Sequence, residues 1–124
     1  MHSHLSIYLN GEALAVPASI GIVQPPTNCT YPLHTHNATG IIHVEAPAAA
    51  LFTLGQLFAI WGQPLSPTDV GGNPGLPVVI YLTNNNVVSQ YTGNFADIEL
   101  TSHREITIQI GTTITEIPRY TWTD

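Results

Sequence analysis

The run Tyr31-Pro32-Leu33-His34-Thr35-His36-Asn37-Ala38-Thr39-Gly40-Ile41-Ile42-His43-Val44-Glu45 admits few folds. Asn37-Ala38-Thr39-Gly40 reads as a reversal, because Asn and Gly tolerate the backbone angles a turn needs. Both flanks have the composition of extended arms. A four-residue loop between them would set His36 opposite Ile41, His34 opposite His43 and Pro32 opposite Glu45. Side chains alternate along a strand, so His34, His36, His43 and Glu45 then share one face. Leu33, Thr35, Ile42 and Val44 take the other. A slip of one residue would turn His43 away, so the reading depends on the register.

Three of the six histidines fall in this hairpin. Directly opposed Cβ atoms lie roughly 5 Å apart, close enough for imidazoles to converge on one ion. Three His with an open fourth position is a known zinc arrangement. The plain alternative is a hairpin whose polar face happens to carry His. A His-x-His pair joined by a cross-strand His favours the metal. His34, His36 and His43 are the candidate ligands, and His2 and His4 repeat the same spacing near the start of the chain. Those two sit on the non-core side of the first strand, where a frayed, solvated end is the plain alternative.

The rest of the chain points to a mainly β domain. Asn10-Gly11 joins Leu5–Leu9 to Ala13–Val16, and Asn-Gly is the strongest short hairpin signal. A two-residue loop there pairs Leu9 with Glu12, Ile7 with Leu14 and Leu5 with Val16. Residues 17–30 read as a loop with a short extended piece at Ile20–Val23. Leu54, Leu57, Phe58 and Trp61 form one helical stripe, with a Thr53–Gln56 capping box before it and Gly62 and Pro64 after it. That stripe reads as a core-facing surface sooner than a ligand groove. Ser66 to Pro77 reads as a Gly/Pro loop. Val78–Leu82, Val87–Tyr91, Asp97–Leu100 and Glu105–Ile110 read as strands, with Tyr120–Trp122 a short strand at most. His103, in the connection before the Ile106 strand, reads as solvated. About eight strands and one short helix imply a small β-sandwich or open barrel with the helix packed against it. At 124 residues, the chain is expected to be a single His-rich metal-binding β domain over residues 1–124.

Charge narrows the partners. Only 8 % of residues are charged, lysine is absent, and the net charge is −6. No basic patch is available, which argues against nucleic acid and anionic membrane surfaces. No apolar run reaches the roughly 20 residues of a membrane helix. A surface of Thr, Asn, Ser and Gln suits an extracellular or cell-envelope protein. The start Met1-His2-Ser3-His4 is not a signal peptide, so the chain is either cytosolic or a mature domain whose export segment lies outside this sequence, and the composition favours the second as the expectation. Asn28-Cys29-Thr30 and Asn37-Ala38-Thr39 match the glycosylation sequon. Cys29, the single cysteine, is buried, free, a soft ligand or paired between chains.

Three pieces of the chain resemble a family. They are His-x-His-Leu-x-Ile-x-x-Asn-Gly over His2–Gly11, Leu-His-Thr-His-Asn-x-x-Gly-Ile-Ile-His-Val-Glu over Leu33–Glu45, and the Phe52–Leu65 segment around Trp61. The tail Ile98–Ile106 fits the closing pattern. Together they are similar to an uncharacterised family of small prokaryotic proteins, commonly exported or membrane-tethered. The resemblance implies that the His residues belong to one site. It brings no activity with it. The family usually has Asp where Asn37 stands, and more chain before the first His-x-His.

Three functions compete on these residues. The first is an extracytoplasmic domain holding Cu(II) or Zn(II), since imidazole suits both and no methionine-rich segment argues for Cu(I). The second is a structural subunit of a self-assembling extracellular filament or homo-oligomer, metal-linked in one version, built through exposed strand edges. The third is a zinc-dependent hydrolase or hydratase, with Glu45 as general base or outer partner. The first is the reading the sequence favours. A solvated His face in the metal-free protein would give little pH dependence between about pH 5 and 8.

Overall fold

The computed structural model describes residues 1–23, 29–45 and 50–123, with the backbone alone for Cys29. In chain order the elements are β1 (His2–Leu9), β2 (Glu12–Leu14), β3 (Ile22–Val23), β4 (Cys29–Thr30), β5 (Leu33–His34) and β6 (Ile41–Val44). There follow α1 (Leu54–Trp61), β7 (Leu65–Ser66), β8 (Asp69–Val70), β9 (Asn73–Pro74), β10 (Val78–Asn84), β11 (Val87–Tyr91), a 3₁₀ turn (Phe95–Asp97) and β12 (Glu105–Ile110). The protein is mainly β, with one short helix.

One seven-stranded sheet runs β11-β10-β12-β1-β6-β5, with β2 also paired to β1. The first strand lies parallel to the last, Leu5 against Ile106 and Ile7 against Ile108. On its other side β1 is shared. Its start pairs with β6, and its end pairs with β2 across the Asn10-Gly11 turn. Asn10 and Gly11 have φ of 49° and 85°, as the sequence requires of a tight hairpin. The pairing reaches Ile7–Leu14 and goes no further, so Leu5 bonds the Gly40 carbonyl instead of facing Val16.

The inner face of this sheet is apolar. Leu5, Ile7, Leu33, Ile42, Ile80, Ile106, Ile108 and Ile110 pack there with Leu54, Leu57 and Phe58 of the helix. Each fully buried side chain of this kind contributes about 1.5–3 kcal/mol. The Thr53–Gln56 capping box forms, and Gly62 ends the helix in the left-handed region at φ 78°. Gly55 is required by contact, since a Cβ there would come within 2.7 Å of Ala96 Cβ.

Four expectations need correction. Residues 65–74 are not loop but a three-stranded meander, β7-β8-β9, with Val70 in the core. Asp97 ends a 3₁₀ turn, and Glu99 makes only one bridge, to Thr53, so Asp97–Leu100 is not a strand. Tyr120–Trp122 has no strand pairing. The reversal after Val78–Leu82, which the sequence places over Thr83-Asn84-Asn85-Asn86, is tighter than expected. The strand continues to Asn84, and Asn85-Asn86 alone make the turn, with φ of 49° and 69°. The 24–28 and 46–49 stretches, which include the first sequon's Asn28 and most of the Pro-Ala linker, lie outside the described residues.

The outer face of β12 carries the least expected feature. Period-2 alternation predicts one solvated face, yet Glu105, Thr107 and Gln109 are all buried. Residues 112–123, which have no regular structure, cross over them. Thr112 N–H donates to Asn10 Oδ1, and Ile114 N–H donates to Gln109 Oε1. Farther along, Arg119 and the Tyr120 N–H donate to the Glu105 carboxylate. A polar strand face is thereby enclosed by backbone donors from an irregular segment.

Candidate metal centre

The hairpin register follows the sequence reading. His34 lies opposite His43, and Leu33 lies opposite Val44. The loop is longer than four residues because both arms are claimed elsewhere. Thr35 N–H donates to the Ile20 carbonyl and its hydroxyl to the Pro17 carbonyl, which pulls Thr35 out of the ladder. On the other arm, Gly40 has φ 86° and meets β1 where any Cβ would collide with the Leu5 carbonyl oxygen. Asn37 Oδ1 accepts from the Thr39 N–H, bracing the loop tip. His36 therefore sits just beyond the ladder, on the loop, and still faces the cluster.

One ligand atom from each of His34, His36, His43 and Glu45 lies within 4.8 Å of the other three. Tetrahedral ligands at a Zn–N distance of 2.0–2.1 Å are about 3.4 Å apart. The cluster is thus somewhat wider than a closed tetrahedral shell. The rings of His34 and His43 are stacked, 5.4 Å between centroids and 2° from parallel. His36 stands edge-on to both, at 4.8 and 4.4 Å.

His34 is the buried anchor. Its Nδ1 is 2.7 Å from the Tyr31 carbonyl oxygen. A carbonyl only accepts, so Nδ1 carries the proton and the lone pair of the neutral ring is on Nε2. That Nε2 is 3.4 Å from Glu45 Oε1. With the ring neutral, two electron-pair donors face one another at close to the edge length of a tetrahedral zinc site; with the ring protonated, the contact is an ion pair. The carbonyl-anchored imidazole is also the usual outer support of a metal-bound His. The cluster reaches the surface through His36 and Glu45, both exposed. Burial lowers the His43 pKa from its ordinary 6.5, and the neighbouring His2, His36 and His34 lower it further, against the opposing pull of Glu45.

The remaining histidines are placed differently. His2 pairs with His43 across β1 and β6, and its Nε2 is 3.1 Å from His43 Nδ1. It touches the cluster without joining the four converging atoms. His4 stands apart. Its Nε2 donates to the Thr39 carbonyl at 2.7 Å, and its ring stacks on Tyr120 at 4.2 Å. Burial lowers its pKa from 6.5, opposed by that carbonyl and by Glu105. His103 is half-buried and not merely solvated, because its ring stacks on Trp122 at 4.2 Å and 8°. The Cys29 side chain, weighed as a soft ligand, lies outside the described residues.

Neither the Tyr31 carbonyl nor the Tyr120–Trp122 clamp was anticipated. A backbone acceptor leaves no mark in the sequence. The alternating aromatics at 120 and 122 do, and they are the one signal that the tail is docked. A cavity of about 220 Å³ separates His2 and His43 from these two rings. None of the described helices is long and apolar enough to cross a membrane. Compared with family models, curated proteins and solved structures, the chain matches none.

Proposed function

We propose that this protein is an extracytoplasmic metal-binding domain that holds one Cu(II) or Zn(II) ion through His34, His36, His43 and Glu45. The observation that carries the reading is the pair His34 Nε2 and Glu45 Oε1 at 3.4 Å, with the His34 proton committed to Tyr31 on the other side of the ring. Two lone pairs so placed repel unless a positive charge lies between them. A proton or a metal ion supplies it. The two further imidazoles at the same point favour the ion, because one proton needs only two partners. Three nitrogens and one carboxylate oxygen suit a borderline divalent ion. The extracytoplasmic setting is supported by the lysine-free, weakly charged composition, and membership of the small exported family by the motifs around His2, His34 and Trp61.

The test is calorimetric titration of the metal-free protein with Zn(II) and with Cu(II). One ion per chain, with affinity falling steeply as pH drops below about 6.5, supports the reading, since imidazoles must shed their protons to ligate. Substoichiometric binding of both ions overturns it.

A second reading, self-assembly through strand edges, rests on β11. It is an edge strand whose Val87 and Val88 are exposed, and its sequence Val-Val-Ser-Gln-Tyr carries no charge to discourage pairing. Sedimentation over a wide concentration range, with and without chelator, tests it. A strict monomer throughout excludes it.

A further inference from the structure

Beyond the four ligands, we infer that His2 is a positioning residue for the metal centre: it fixes the tautomer of His43 so that His43 presents Nε2, and not Nδ1, to the ion. The inference rests on the metal reading proposed above.

The backbone sets the geometry. Met1 and Val44 exchange hydrogen bonds, Val44 N–H to the Met1 carbonyl at 2.9 Å and the terminal amine to the Val44 carbonyl at 3.4 Å. His2 and His43 are therefore a non-hydrogen-bonded antiparallel pair, the kind whose side chains approach most closely. On its other side the His2 carbonyl accepts from the His103 N–H at 2.7 Å. His2 is thus held between β6 and the turn before β12. Its ring meets His43 edge-on, with centroids 4.5 Å apart and planes at 83°. His34, His43 and His2 form one row across three adjacent strands.

The contact itself is directional. A nitrogen–nitrogen distance of 3.1 Å between His2 Nε2 and His43 Nδ1 is a hydrogen bond and requires one proton between the two atoms. Once Nε2 of His43 ligates, its ring proton must be on Nδ1, and Nδ1–H then donates to His2 Nε2. The same logic operates at His34, where the Tyr31 carbonyl plays the acceptor. Two of the three imidazoles would then have their outward nitrogens held by partners built into neighbouring backbone or strand. Outer partners of this kind are worth 10- to 100-fold in metal affinity.

The experiment uses the whole protein with Zn(II) as the probe. Long-range ¹H–¹⁵N spectra of the loaded protein should show His43 protonated at Nδ1. His2→Ala should lower Zn(II) affinity about 10- to 100-fold. It should leave the same number of imidazoles on the metal by X-ray absorption. His2→Gln, which keeps an acceptor, should restore affinity to within about threefold of the parent, a recovery expected only if the hydrogen bond is the cause. Loss of one imidazole from the metal in His2→Ala makes His2 a ligand and overturns the inference. Unchanged affinity and tautomer in His2→Ala overturn it too. Both leave the metal site standing. A parent protein that binds no Zn(II) overturns the site and the inference together.

Discussion

Two groups of rings lie on the same face of the sheet, and they differ in what their nitrogens are bonded to. In the first, His34, His36 and His43 point ring nitrogens at one another and at the Glu45 carboxylate. In the second, His4 donates from Nε2 to the Thr39 carbonyl and accepts at Nδ1 from Ser6, with Tyr120 across its ring. The carboxylate of that group, Glu105, takes hydrogen bonds from Arg119, the Tyr120 N–H and Trp122 Nε1. Each of these polar groups has its partner within the protein. In the first cluster four potential ligand atoms converge instead, within 4.8 Å of one another. His4 and His34 are both buried, so burial alone does not distinguish the two clusters. The destination of each lone pair does.

The largest expected difference is in metal binding. His34→Ala removes the anchored imidazole and should weaken binding by more than about 100-fold, beyond the cost of losing an outer partner. His4→Ala should change it by less than about threefold, because His4 shares no ligand atom with the site. Equal losses in the two variants, measured by competition with a chelating dye, would erase the distinction between the clusters.

Stability should show the reverse order. Glu105→Gln discards the charge that gathers the tail while leaving its donors in place. A cost of about 2 kcal/mol is expected, since hydrogen bonds to a charged group contribute about 1.5–3 kcal/mol. Denaturant unfolding of the metal-free protein measures it, and Zn(II) affinity should stay within a few-fold of the parent. A variant as stable as the parent would mean that the tail contributes nothing through Glu105.

The pH dependence has two windows. His43 and His4 have folded-state pKa values below the ordinary 6.5. The unfolded chain therefore binds protons more readily, and stability from these groups is present above pH 6.5 and lost as pH falls through their depressed values. The metal-free protein should weaken there, contrary to the flat profile expected of a solvated His face. Bound metal deepens the effect at His43 and not at His4. Glu105 titrates lower. Burial pushes its carboxyl up, but the bonds from Arg119, Tyr120 and Trp122 outweigh that and hold it below the ordinary 4.5. Its stabilisation is present above 4.5 and is lost as pH falls further. Melting curves of His4→Gln should lose part of the first window without losing its metal-dependent part.

The smallest effect is expected at Cys29. Cys29→Ser should leave metal affinity nearly unchanged if the donors are three imidazoles and a carboxylate. A large loss, with loss of a thiolate charge-transfer band, would bring sulfur into the site and favour softer ions.

Much of the first cluster was legible in the sequence, and almost none of the second. The Asn37–Gly40 reversal and period-2 alternation were enough to place His34 opposite His43, since burying Leu33, Ile42 and Val44 forbids a one-residue slip and the turn fixes the rest. The helix was legible for a similar reason. Thr53, Gln56 and Gly62 each act within a few residues of themselves. What local pattern could not supply was long-range competition for backbone groups. Thr35 leaves the ladder because Ile20 and Pro17 take its hydrogen bonds, which lengthens the loop carrying His36. Apart from the alternation at Tyr120-Thr121-Trp122, the tail has neither helical nor strand period. Its place over β12 depends on Glu105, whose partners are 14 to 17 residues away in sequence. The meander at residues 65–74 was hidden by its Gly and Pro content and by strands of two residues each.

On the proposed reading, four side chains of one hairpin hold a single ion. X-ray absorption at the metal edge, on protein loaded with Zn(II) or Cu(II) and then dialysed, tests it most directly, with His43→Ala beside the parent. One ion per chain is expected, with a first shell of three imidazoles and one carboxylate oxygen at about 2.0–2.2 Å, and one imidazole fewer in the variant. A shell of carboxylate and water oxygens, or an unchanged imidazole count in His43→Ala, would contradict that reading.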